Sequence, residues 1–338
     1  MKVLKAIFNP ILLIIIFLLL IFYFSFKNDF GKMSFKSSKN ENISTSKIDS
    51  TSSLNILFVG DVMLDRYIRE KINEADSVED FVDNFLTNLS IENKKYDYVV
   101  ANLEGPITEN KSKTLNDDGT FAKDLIFTFP TSSPEILKLL NIKVVSLANN
   151  HTDNFYYAGF QSTIKFLEKS NINYFGNPYN SEKDGLSKVV CESSICMGYV
   201  AYNQFTGENN PEIVVDEIKK LKEEKKVDFI VVFAHWGVEY ALKANSIQKN
   251  YAHEWVDAGA DLIIGAHPHV IEESEIYNGK YIYYSLGNYI FDQWFDKNVS
   301  KGLQVNFLFK KGVDGNKNIE LIKELNTNIS RKGIKYIN

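Results

Sequence analysis

Five apolar runs of strand length, at residues 56–59, 98–101, 144–147, 229–234 and 262–265, each end directly in polar chemistry. They run into Gly60-Asp61, Asn102-Leu103-Glu104-Gly105, Asn149-Asn150-His151, His235-Trp236-Gly237 and His267-Pro268-His269. Between them, residues 81–89, 134–140, 160–167, 211–221 and 247–256 space their apolar side chains by three and four, the period of a helix with one buried face. Strands alternating with helices predict an α/β domain whose strands are largely parallel. In such a sheet the loops after the strands converge on one edge, so residues far apart in sequence meet there. Later the pattern changes. Asn278-Gly279, a pair suited to a two-residue hairpin turn, separates strand-like runs at 271–276 and 280–284, and 303–309 alternates again. Mixed sheets are therefore expected. The polar tail after Gly312 carries only a weak strand signal at 319–322.

The strand ends collect metal-capable side chains. Four of the five histidines lie there, and His253, within a helical pattern, is read as structural or exposed. Asp61, Glu104, Asn150, His235, His267 and His269 combine hard oxygens with imidazole nitrogens, which suits Mn, Fe or Zn better than an all-oxygen Mg or Ca cage. Six ligands exceed one tetrahedral site. They suffice for two divalent cations about 3.5–4 Å apart sharing a carboxylate, an arrangement that activates water toward phosphorus or carbonyl centres. Trp236 is read as a packing wall, Asn102 as support for Glu104, and Glu239 as either a surface carboxylate or a residue that orients a ligand or meets substrate. Ser285, Asn288 and Asp292 are candidates to line the cleft, although Leu286-Gly287-Asn288 also suits a turn.

Composition excludes several classes. With 38 basic against 43 acidic residues, the chain lacks the cationic excess that a phosphate backbone requires, so nucleic acid is not an expected partner. Cys191 and Cys196 are too few for a disulfide framework or a thiolate cage. They either bridge across a hairpin or are two buried thiols. Residues 7–26 are almost wholly apolar and long enough to span a bilayer. The bulky Phe22-Tyr23-Phe24 end argues against a cleaved signal peptide. The expected organisation is a membrane anchor over 1–27, a flexible polar linker over 28–53 and one folded domain over 54–338. The protein is expected to be single-pass in the cell membrane, with its main domain outside the cytoplasm.

Six ordered motifs carry a resemblance: Gly60-Asp61-Val62-Met63-Leu64, Asn102-Leu103-Glu104-Gly105, Ala148-Asn149-Asn150-His151, His235-Trp236-Gly237-Val238-Glu239-Tyr240, Gly265-Ala266-His267-Pro268-His269-Val270 and Tyr284-Ser285-Leu286-Gly287-Asn288. From about Leu54 to Asp292 the chain resembles the CapA family of capsule and poly-gamma-glutamate synthesis proteins, within the calcineurin-like metallophosphoesterase superfamily. That resemblance implies a metallophosphatase-like four-layer α/β/β/α sandwich with a potential dinuclear site at its edge. It implies Asp61 and His269 on one metal, Glu104 bridging, and Asn150, His235 and His267 on the other. It also implies His151 as the catalytic residue that protonates a leaving group. The chain departs from the superfamily pattern twice: Met63 stands where a histidine is expected, and Asn154 where an aspartate is. The function implied is membrane-anchored capsule biosynthesis, with a metal-dependent hydrolase or transferase-like site acting on an anionic polymer such as poly-gamma-glutamate. Two divalent ions are expected, Mn or Zn ahead of Fe. The alternative is a non-enzymatic export or anchoring subunit beside membrane synthase proteins.

Overall fold

The computed structural model describes residues 50–114, 125–206, 210–224 and 227–337. The expected anchor, and the linker as far as residue 49, lie outside them. Among the described residues no helix is long and apolar enough to cross a membrane.

Two mixed sheets form the domain. The first runs β14 (Gly333–Ile337), β13 (Lys317–Ser330), β12 (Lys301–Gly312), β1 (Ser50–Val62), β2 (Tyr98–Leu103), β3 (Ile142–Ser146) and β4 (Asn173–Phe175), and β11 (Asn288–Ile290) also pairs with β1. The second runs β5 (Ser187–Glu192), β6 (Ile195–Asn203), β7 (Phe229–His235), β8 (Leu262–Ala266), β10 (Lys280–Tyr283) and β9 (Ser274–Tyr277). Strands β1 to β4 are mutually parallel, as are β6, β7, β8 and β10, so both groups deliver their carboxyl ends to loops. The outer pairings are antiparallel.

The two-residue period of each strand explains how two sheets make three cores. Along β1, Leu57 and Val59 face one core while Leu54, Ile56 and Phe58 face another. Along β7, Phe229, Val231 and Phe233 enter that same shared core, and Ile230, Val232 and Ala234 point the opposite way. The shared core is the sheet-to-sheet layer. On the outer face of the first sheet pack α1 (Arg66–Glu74), α2 (Val78–Phe85), α3 (Thr87–Asn93), α4 (Ser133–Leu139) and α5 (Tyr156–Lys169). On the outer face of the second pack α6 (Glu212–Glu223) and α7 (Ser246–Ala258). The α/β architecture is thus the expected one, with helices outside and sheets within.

Three details differ from the sequence reading. The weak tail signal is in fact β13 and β14, because a polar strand needs only its backbone partners, and β13 pairs with β12 from Lys311↔Lys317 to Lys301↔Asn328. The helical pattern at 81–89 breaks at Leu86, whose φ −115 and ψ 14 leave the helix; the break keeps Leu86 and Leu89 buried while the Asn88 amide donates to the Ile334 carbonyl. Strand β1 starts at Ser50, ahead of Leu54, through pairing with Gly312. The two cysteines face each other across the β5–β6 hairpin and form a disulfide. Asn278 and Gly279, with φ 48 and 76, make the expected hairpin turn.

Phe58 is fully buried between the sheets and meets Phe307 and Phe309 edge-on, with both ring centroids at 6.3 Å. Replacing it with alanine leaves a cavity that the two sheets cannot close. Phe58→Ala should therefore cost about 3–5 kcal/mol, read as a lower urea midpoint with an unchanged slope. A loss below about 1 kcal/mol would mean that the layer is not close-packed there.

Candidate metal centre

The first sheet brings Asp61 from the end of β1 and Glu104 from just past β2, with Asn150 and His151 in the loop after β3. The second sheet brings His235 from the end of β7, with His267 and His269 after β8. Glu104, His235 and His267 offer ligand atoms within 4.8 Å of one another, and so do Asp61, Glu104 and His269. Glu104 belongs to both groups. Asn150 joins the first through its Oδ1, 2.8 Å from His235 Nε2. The structure therefore brings together all six residues singled out in the sequence.

Their supports are equally local. Asn102 Nδ2 donates to Asp61 Oδ1 at 2.7 Å and lies 3.1 Å from His235 Nδ1, so it ties the two sheets together. Asn149, which the sequence reading left without a role, holds Asn102 Oδ1 through its Nδ2 at 3.1 Å. Its Oδ1 accepts from the backbone amides of His151 and Thr152. Asn288 Oδ1 lies 3.0 Å from His269 Nδ1. It gets there because β11 crosses the end of β1 at Gly60, where a β-carbon would meet the Gly287 carbonyl oxygen at 1.8 Å. Trp236 is buried, stacked on Trp255, and its indole donates to the Tyr284 carbonyl: a packing wall. His253 stacks on Tyr277 and contacts Glu275, away from the cluster. Glu239 is exposed.

The donor set fits divalent cations. Glu104 is completely buried, yet neither carboxylate oxygen accepts a hydrogen bond among the described residues. Burial, reinforced by the Asp61 charge, pushes its carboxyl well above the usual range. A carboxylate in that state needs a positive partner. Burial and the neighbouring imidazoles push His235 well below its ordinary value, and burial brings His267 down to about 3, so both rings are neutral, as metal ligands must be. Burial opposes charge on His269 too, but Glu104 and Asp61 outweigh it and raise the ring to about 9.

His151 sits beside the cluster with its ring 4.3 Å from that of Phe127. Asn154 Oδ1 accepts from the Phe127 backbone amide, which identifies it as the oxygen, so His151 Nδ1 at 3.1 Å donates to it. Burial lowers His151 to about 4, and a neutral carboxamide gives an imidazolium no charge support. Nε2 is then the atom left to take a proton. Asp153, the neighbouring acid, is not the partner. Sequence reasoning also missed Arg66, whose guanidinium lies 5.3 Å from the Phe127 ring centroid and pairs with Asp292. An arginine beginning a helix carries no periodic signal of its own.

A cavity of about 710 Å³ opens beside the cluster, with Asn150, Phe205 and Lys183 among its lining residues. Phe205 lies 4.0 Å from the His267 ring.

Residues 55–293 match the model for "Bacterial capsule synthesis protein PGA_cap". The chain is 34% identical over 276 residues to a PGA biosynthesis protein CapA of Bacillus subtilis, covering 77% of this chain and 69% of that one. It is 31% identical over 258 residues to a capsule biosynthesis protein CapA of Bacillus anthracis, covering 71% of this chain and 60% of that one. Among solved structures, a phosphatase from Mycoplasma pneumoniae aligns with a TM-score of 0.48 at 14% identity, covering 80% of this chain and 94% of that one.

If Asn154 sets the charge state of His151, Asn154→Asp should raise the ring pKa from about 4, because a carboxylate 3 Å away favours the imidazolium. Observing the ring by NMR during titration measures the shift. An unchanged or lower value would show that burial alone governs this histidine.

Proposed function

The chain belongs to the bacterial capsule synthesis protein PGA_cap family, and on that basis we propose that it is a membrane-anchored protein of capsule biosynthesis with a metal-dependent site that acts on poly-gamma-glutamate or a related anionic envelope polymer. The observation that carries the metal reading is Glu104, a fully buried carboxylate that accepts no hydrogen bond among the described residues and stands at the junction of two ligand triads. Asp61, Glu104 and His269 would hold one divalent ion, and Glu104, Asn150, His235 and His267 a second, in a metallophosphoesterase-like arrangement. Bound there, Mn or Zn would supply Lewis acidity and lower the pKa of water. Asn102 and Asn149 hold the ligands of the two sheets in register. A neutral His151, with its Nδ1–H on Asn154, presents Nε2 as the ring atom that takes and passes on a proton as an amide or phosphoester bond is cleaved or transferred.

Two residues support a second reading, a polymer-handling subunit that binds without turnover. Met63 replaces the expected histidine with a buried thioether whose sulfur accepts from the Asp65 amide, and Asn154 gives His151 no negative partner. An extracytoplasmic domain accords with the Cys191–Cys196 disulfide, since such bonds persist in oxidising surroundings.

Metal content and hydrolysis should be measured on the full chain, with poly-gamma-glutamate and a phosphodiester as substrates and His235→Ala alongside. About two divalent ions per chain, with ions and turnover both lost in the mutant, are expected. Stoichiometric metal with no turnover would select the polymer-handling subunit, and less than about one ion per chain would refute the paired centre. In membrane preparations the full chain should resist alkaline carbonate extraction, and a variant lacking residues 1–27 should be released. Release of both would refute the anchor.

A further inference from the structure

The loop after β4 is pinned to the second sheet beside the metal centre. Asn180 Oδ1 accepts from the Asn203 backbone amide at 2.9 Å, its Nδ2 donates to the Asn203 carbonyl at 2.8 Å, and Asn203 Nδ2 donates to the Pro178 carbonyl. Both asparagines are buried, so carboxamides lock the segment after β4 to the end of β6 without adding charge. They line the cavity of about 710 Å³ together with the candidate ligand Asn150 and with Phe205, which packs on His267. That cavity therefore borders the metal centre, and its walls are preformed.

Two further cavities continue from it. Lys183 lines both the first and a second of about 380 Å³, and Tyr174 and Lys188 line both the second and a third of about 320 Å³. Because β4 is parallel to β3, its carboxyl end lies on the side of the metal ligands and its amino end on the other. Residues 178–183 after β4 line the first cavity, Tyr174 within it the second, and residues 171–174 the third. The groove thus follows β4 backward from the centre, between the edge strands β4 and β5 and the side of α5. Charge is uneven along it. Asp153 and Glu182 line the first cavity beside Lys183, and Glu168 lines the third, where the Tyr174 hydroxyl donates to it. The second carries Lys183 and Lys188 and, among the described residues of its lining, no acid. Ser187 in that lining donates to Glu217, whose charge Lys220 already meets at 3.0 Å. Lys183 and Lys188 are exposed, and neither has an ion-pair or hydrogen-bond partner among the described residues.

We propose that this groove is the track of a linear polyanion, which lies along β4 with successive anionic groups on Lys183 and Lys188 and leads into the metal centre past Asn150 and Phe205. Two unpaired ammonium groups in one cleft create a positive potential that an entering anion lowers, and a chain with repeated charges meets both at once. A lysine holds a carboxylate or a phosphoryl alike as a point charge, so the pair fixes where the chain lies rather than what it is made of. The track rests on the polymer reading only for the identity of that chain. Asp153 and Glu182 repel anions from the first cavity, which leaves the charged groups of the chain to the lysines.

The test is equilibrium binding to the full chain of a gamma-linked glutamate decamer, a short inorganic polyphosphate and free glutamate, after chelation so that no probe is consumed. The decamer should bind at least about tenfold more tightly than free glutamate. Lys183→Gln and Lys188→Gln should each weaken it by about threefold and the double variant by about tenfold, whereas the two Lys→Arg variants keep the charge and the affinity. Lys310→Gln, at an ion pair with Glu320 on the far strands, should leave binding unchanged. Polyphosphate bound through the lysines, without binding of the decamer, would uphold the track and refute the polymer reading. A decamer bound as tightly by the double variant as by the wild type would overturn the track and leave the polymer reading standing. Equal affinity for the decamer and free glutamate, or no binding of either polyanion to the wild type, would also overturn the track.

Discussion

The Glu104 carboxylate is completely enclosed, and among the described residues no hydrogen bond satisfies either oxygen. Removing a carboxylate from water in this way costs several kcal/mol unless a cation or proton repays it. Everything around it is arranged accordingly: Asp61 adds negative charge, His235 and His267 present neutral nitrogens, and His269 is pulled toward its charged form. Among the described side chains the only cation this pocket supplies beside Glu104 is a protonated His269, 3.7 Å from Oε1, and the rest of the donor set suits a bound cation.

That trap depends on the two sheets packing face to face, so that the ends of their parallel strands lie side by side. Asp61 and Glu104 come from the first, His235, His267 and His269 from the second, and the shared core of Phe58, Phe233 and Phe307 sets the spacing between them. A chain of carboxamides from Asn149 through Asn102 to Asp61 and His235 straps the two sheets together, alongside Asn150 Oδ1 on His235 and the His267 amide on Asp61. Neutral amides suit this task because they can donate and accept without adding charge to an already acidic pocket. Arg66 and Asp292 add a second layer, in which a cation is fixed near the site by a buried acid and two aromatic rings.

Much of this was legible in the residues. The five strand runs ended in the ligands because a buried parallel strand is apolar along its whole length and the polar residue after it marks where burial stops. The hairpin at Asn278-Gly279 was legible because few other pairs tolerate two positive φ values. Strands β13 and β14 were not, since their polar sequence is stabilised by pairing with β12 rather than by a pattern of their own. Nor was Arg66 or Asn149, whose roles lie in contacts with residues distant in the chain.

The sequence by itself determined the α/β class, the identity of the six candidate ligands and the family, because these are written in local periodicity and in short motifs. Tertiary structure alone decided that Asn102 joins Asp61 to His235, that Asn154 rather than Asp153 accepts the hydrogen bond from His151 Nδ1, and that the cysteines are opposed across a hairpin. Each of those outcomes depends on register and distance between segments, which the packing of the two sheets fixes and no single segment encodes.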